Sequence, residues 1–237
     1  MKVGRLSLVL GALAMLGATS ALAENVAPSR LNNKRAEFKL YNLMSPADRG
    51  RAMMLAFSQC LIRDNLPAVR KAAALFPDSP AADNQLRKVA TDECLVGEIE
   101  GGGEIRYSFR LARGALFQAL YLNKFAKAAP VLPAEPLVLE SETVGQDPEA
   151  ARNYIGLRRF TECVVRTDPA VSRAILLPPV GSKEEGEAYK ALAPLLGPCL
   201  PEGMKISFSK SILGGLIAEV MYRLSTQAPS ASVAGKY

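Results

Sequence analysis

The chain contains no histidine and no tryptophan among its 237 residues, and aromatic residues make up only 6% of it. The missing histidine removes Ser-His-Asp and Cys-His catalysis and every histidine-ligated metal site. Serine-lysine and carboxylate-only mechanisms survive that exclusion. Cysteine is scarce too, with four residues: Cys60, Cys94, Cys163 and Cys199. The gaps between neighbours are far wider than the C-x-x-C pairs of structural zinc sites. No close dithiol suits an exchange catalyst. Past the N-terminus, no apolar run approaches the ~20 residues that span a bilayer. Neither sign of charge dominates: Lys and Arg number 29 against 23 acidic residues, a net +6, and the basic residues are scattered. Nucleic-acid binders gather theirs on one face or tail. These absences predict a protein without cofactor, metal or nucleic-acid partner.

What is present begins with an export signature. Lys2 and Arg5 precede a largely apolar run from Leu6 to Ala18, and Ala21-Leu22-Ala23 supplies a small-x-small pattern before Glu24. Charge, length and exit site read as a secretory signal peptide, residues 1–23, cleaved after Ala23. Without Lys2 and Arg5, 27 basic residues face 23 acidic ones, a net +4. The expected location is the periplasm or the extracellular space, where cysteines pair by default.

The mature chain repeats itself. Phe57 to Arg63 (FSQCLIR) returns 103 residues later as Phe160 to Arg166 (FTECVVR). Met54, Phe57, Cys60 and Leu61 correspond to Leu157, Phe160, Cys163 and Val164, one face of a helix in each copy. Ser45-Pro46-Ala47-Asp48 and Asp147-Pro148-Glu149 each offer an N-cap, a proline in the first turn and an acid. Pro67 to Ala72 matches Pro169 to Ala174, with Asp168 as the second copy's cap, and Pro77 and Pro178 follow as stops. Ser79 starts a polar helix through about Ala90, and Ser182 another through about Ala193, before Pro194. A fourth pair follows Ser108 and Ser209, with broad apolar stripes through Leu116, Ala119 and Leu120 and through Leu216, Ile217, Val220 and Met221. Gly114 and Gly215 fall at matching points in these helices. Glycine costs about 1 kcal/mol relative to alanine there, so the pair predicts a close helix–helix approach.

This pattern predicts an all-α fold: a duplicated four-helix unit with pseudo-two-fold symmetry. Minor β-pairing of Ile105–Tyr107 with Ile206–Phe208 is an accompanying expectation. The divisions expected are a 24–44 extension, repeat 1 at 45–125, a Pro-rich linker at 126–146, repeat 2 at 147–225 and a disordered tail at 226–237. Four cysteines allow three pairings. Locality favours Cys60–Cys94 and Cys163–Cys199, each stapling a first helix to the approach of a fourth.

Chemistry is hard to find. The Gly97–Glu104 loop lacks the P-loop lysine and the spacing of an EF-hand. Asp92, Glu93, Glu98, Glu100 and Glu104 fall in loops or helix ends, and none stands out as a pair. Arg63 and Arg166 end the first helix of each copy. They complement the helix dipole, or they grip an anion across the dyad. The leading expectation is an exported, non-catalytic binding or scaffolding protein with an unknown envelope protein or small ligand as partner. The alternative is a carboxylate-dependent hydrolase of a cell-envelope polymer.

Overall fold

Capping chemistry at the helix starts organises this chain. The computed structural model describes residues 43–77, 79–91, 93–94, 109–200 and 206–227, all within the unit Phe38–Tyr237. Seven α-helices run their full course there: α1 (Pro46–Ala74), α2 (Pro80–Val89), α3 (Phe109–Phe125), α4 (Pro148–Thr167), α5 (Pro169–Ala174), α6 (Lys183–Leu196) and α7 (Lys210–Gln227). Short 3-10 turns cover Glu140–Thr143 and Gly197–Cys199. Among the described residues there is no strand. Ile206–Phe208 is irregular, and its expected partner Ile105–Tyr107 lies outside the described residues, as do the signal peptide, most of the 24–44 extension and most of the tail. No described helix is long and apolar enough to cross a membrane.

The start signals act as side-chain acceptors for otherwise unpaired N–H groups. Ser45 accepts from the Asp48 N–H at 3.1 Å, Ser79 from Ala82 at 3.2 Å, Asp168 from Val171 at 2.9 Å and Ser182 from Glu185 at 3.1 Å. Asp147 accepts from both Glu149 and Ala150. Pro46, Pro80, Pro148 and Pro169 fill first-turn positions, where a missing N–H costs nothing.

Three local features differ from the expectation. The first two helices of the N-terminal half run together as α1, broken only at Asn65 (φ −151°, ψ 73°), whose side chain accepts from the Ala68 N–H. Asn65 does inside α1 what Asp168 (φ −148°, ψ 94°) does between α4 and α5. Helix α6 does not stop before Pro194 but continues to Leu196. So late in a helix, the proline forfeits a single hydrogen bond. The Pro-rich segment is extended, yet it is seated rather than loose. Leu137 and Leu139 are buried, and the Leu137 N–H donates to the Glu162 carboxylate at 3.1 Å. Arg166 donates to the carbonyls of Pro133 and Glu135 at 2.7 and 2.5 Å.

Both cysteine pairs are disulfides, Cys60–Cys94 and Cys163–Cys199, each with Cα atoms 5.7 Å apart. Asp64 Oδ2 lies 3.2 Å from Cys94 Sγ. The bonded sulfur carries no proton, so that approach is a contact and not a hydrogen bond.

The centre of the fold is the α3–α7 pair. Helix α1 packs on α3, and α4 packs on α7. The apolar stripe of α7 faces inward through Leu213, Ile217, Val220, Met221 and Leu224, so it is core and not a membrane-facing surface. Gly114 and Gly215 meet where the two helices cross. A Cβ built on Gly114 would lie 2.7 Å from Gly215 Cα, and one built on Gly215 would lie 2.8 Å from Gly114 Cα. The obstacle is backbone, which cannot swing away. Gly114→Ala is expected to destabilise by about 1–3 kcal/mol through overpacking. Gly156→Ala, at a site in α4 with nothing within 4 Å, is expected to gain up to about 1 kcal/mol from helix propensity. Urea denaturation of the two variants checks the contrast. Equal behaviour would mean the crossing can relax by sliding.

Candidate functional site

The α3–α7 crossing has a cleft on each side, and Gly114, Gly215 and Ser211 line both. The smaller, about 410 Å³, lies against α1 and α6. The larger, about 810 Å³, lies against α4 and the connection from α1 to α2, within the size range of small-molecule sites.

The floor of the larger cleft is ionic. Glu219, from the middle of α7, is held between two guanidinium groups. Arg158 of α4 donates to it through Nε at 3.0 Å and Nη2 at 2.7 Å. Arg113 of α3 donates through Nη2 at 2.9 Å and Nε at 3.4 Å. All three side chains are buried, with relative exposures of 2–5%. Arg113 also donates to the Leu75 carbonyl, and Arg158 to the Tyr154 carbonyl. The Arg158 guanidinium stacks 3.6 Å above the Tyr154 ring. Burial alone would raise the Glu219 pKa, but the charges and hydrogen bonds of Arg113 and Arg158 outweigh it and hold the carboxyl below its usual range. Glu219 is therefore a fixed anion, not a proton donor at neutral pH.

Arg223, one turn further along α7, extends the cluster. It pairs with Glu142 of the 3-10 turn, donates to the Tyr154 hydroxyl at 2.9 Å and reaches Glu219 at 3.3 Å. Tyr154 in turn donates to Glu142 at 2.5 Å. Burial, with Arg113 nearby, pushes the Arg223 pKa down to about 10. Above this floor the walls carry Phe76, Leu157, Phe208, Ile212 and Leu216. Phe76 packs on Tyr154 with ring centroids 5.0 Å apart, and Phe208 stacks on Phe160 at 5.4 Å. Asp147 and Glu149 stand at the rim, at the N-terminus of α4.

The smaller cleft has its own ion group. Arg51 donates to both Glu185 oxygens at 2.6 and 2.7 Å and to Asp48 at 2.7 Å. Glu185 also accepts from the Gly181 N–H at 2.9 Å; Gly181 has φ +78°, the left-handed region that glycine adopts without strain. Asp48 is held below its usual range, first by its bond from Arg51 and then by that from Ser45.

The residues picked out in the sequence fall elsewhere. Arg166 spends its donors on Glu162 at 2.9 Å and on the linker carbonyls. It clasps the linker to α4, which explains it without an anion. Arg63 is exposed in α1 and engaged within the protein. Among the acids lining the larger cleft, Glu219 is saturated by Arg113 and Arg158 and Asp147 caps α4, which leaves Glu149 at the rim without an acid partner poised for proton transfer. Of the acids weighed for catalysis, Asp92, Glu93, Glu98, Glu100 and Glu104, only Glu93 lies among the described residues, and it is exposed.

The cluster itself was missed, although signals for it exist. Glu219 is a lone acid in the apolar stripe of α7, between Ala218 and Val220. At the Gly114–Gly215 offset its counterpart is Gln118, which donates to the Leu176 carbonyl at 3.2 Å. An amide in one half and a carboxylate in the other is the sequence trace of the charged floor. No family model, curated protein or solved structure matches the chain.

Proposed function

We propose that this is an exported, non-catalytic helical binding protein built from a duplicated four-helix unit, and that the larger cleft beside the α3–α7 crossing is its binding site. The observation that carries the reading is the cleft of about 810 Å³, whose apolar walls converge on buried, fixed polar groups, the usual make-up of a ligand pocket. The duplication is supported by the helix order, by disulfides of similar span (34 and 36 residues) and by the reciprocal contact of Gly114 with Gly215. A pseudo-dyad through that contact relates the two clefts. One has diverged by gaining Glu219, Arg113 and Arg158. Disulfides fit an oxidising, exported setting. Catalysis is disfavoured because the buried carboxylate of the charged floor, Glu219, is held ionised by two guanidinium groups.

The test is affinity capture from an envelope extract of the source organism, using the mature protein and Ile212→Arg as baits. Ile212 is 48% exposed on the cleft wall, so the variant should fold and fill the mouth. A component retained by the parent and lost by the variant is expected. Equal capture by both would remove the cleft from the reading. Release of soluble sugar or peptide from the polymer would favour the hydrolase instead.

A further inference from the structure

Three ion clusters lie among the described residues, and their charges do not all balance. Arg159 and Arg166 face Glu140 and Glu162, two against two. Beside the smaller cleft, Arg51 faces Asp48 and Glu185, a formal −1 among the paired groups. The cluster under the larger cleft differs. Arg113, Arg158 and Arg223 face only Glu219 and Glu142, a formal excess of +1.

Excess charge in a buried place is costly unless a counter-charge arrives. Burial, and after it the charge of Arg113, lowers the Arg223 pKa. Each of Arg113 and Arg158 has five N–H donors, and three nitrogens on each make one bond apiece. The second hydrogens on Nη1 and Nη2 have no partner among the described residues, and both side chains line the cleft. The rim acids keep their charge but make no ion pair with this cluster, and Asp147 accepts instead from the α4 N-terminus. Together with Glu149 they disfavour a ligand carrying several negative charges.

We propose that the larger cleft takes a small amphiphilic monocarboxylate, its carboxylate seated against Arg113 and Arg158 and its apolar body along Phe76, Phe208 and Leu216. One added negative charge neutralises the cluster. The pairing is charge-assisted and the cleft walls exclude water from it. This inference rests on the cleft being a binding site, yet it can fail separately, because the capture experiment above assumes no ligand class.

The test compares octanoate, octanol and octylamine by titration calorimetry on the mature protein at low salt. Octanoate is expected to bind at least about tenfold more tightly than octanol, and octylamine more weakly still. Ile212→Asp and Ile212→Lys then place opposite charges on an exposed wall position without touching the floor. Both variants narrow the mouth and remove an apolar wall contact, so the comparison is between them: octanoate should bind several-fold more weakly to the Asp variant than to the Lys variant, while octanol does not distinguish the two. Octanol binding as tightly as octanoate would overturn the proposal, as would tighter binding of octylamine. Equal octanoate affinity in the Asp and Lys variants would do the same. Absence of any octanoate binding up to millimolar concentration overturns it too, and leaves the binding reading to the capture experiment.

Discussion

Glu219→Ala is expected to cost about 3–5 kcal/mol of folding stability, the usual loss when one partner of a buried ion pair is removed. Arg113 and Arg158 are 4% and 5% exposed, so neither guanidinium can turn to water when its carboxylate goes. Both lose bidentate bonds and keep their desolvation cost. Truncating a glutamate also leaves a void between three helices. The two contributions separate in a triple variant, Arg113→Met, Arg158→Met and Glu219→Leu. Apolar replacement of a whole buried ion group is often neutral or stabilising, so this variant should recover most of the loss, with Arg223 still paired to Glu142. Urea titration decides between them. A triple variant as unstable as Glu219→Ala would mean the site matters for its shape and not its charge.

The same carboxylate gives the fold an acid-sensitive limb. Its pKa is lower folded than the ordinary 4.5. The stability it contributes is therefore fully present above that ordinary value and is lost as pH falls through the depressed folded value. Asp48 adds to the limb in the same direction. Stability measured downward from pH 5 should fall less steeply in the triple variant than in the parent. Parallel curves would assign the acid limb to other carboxylates.

Opening the disulfides is the other large effect. Each closes a loop spanning 34 or 36 residues, and the chain-entropy estimate is about 4 kcal/mol for each. Loss of both approaches the whole stability of an ordinary domain, about 5–15 kcal/mol. Cys60→Ala/Cys94→Ala and Cys163→Ala/Cys199→Ala should each lower stability by about 2–5 kcal/mol. The quadruple variant should be largely unfolded at 37 °C, as circular dichroism will register. Cys94 is fully buried while Cys199 is half-buried, so the first pair also braces core packing and its removal should cost more. A quadruple variant that melts like the parent would mean that helix packing alone holds the fold.

Much of the fold was legible before any coordinates. Ser45, Ser79, Asp147, Asp168 and Ser182 could be read as helix starts because capping is local: the acceptor and the N–H it satisfies lie two or three residues apart. The apolar stripe of α7 was legible because burial of one face imposes a 3.6-residue period. The disulfide pairing followed from locality along the chain, each cysteine joining its neighbour in sequence. The packed state of the linker was not legible. Leu137 and Leu139 look like ordinary residues in a proline-rich stretch, and only the approach of Glu162 and Arg166 from α4 fixes them.

The sequence by itself determined the all-α class, the helix starts, the oxidised cysteine pairs and the exclusion of histidine chemistry, because each depends on residue type or short-range spacing. Tertiary structure alone decided where the ionic floor stands. Arg113, Arg158 and Glu219 are separated by 45 and 61 positions along the chain, and an arginine in a helix reads as a solvated cation until a neighbouring helix covers it. The Gly114–Gly215 crossing brings α3 and α7 close enough to enclose that charge, and α4 supplies the second guanidinium. Charge of this kind becomes a site only through burial, and burial is a property of the packed helices together.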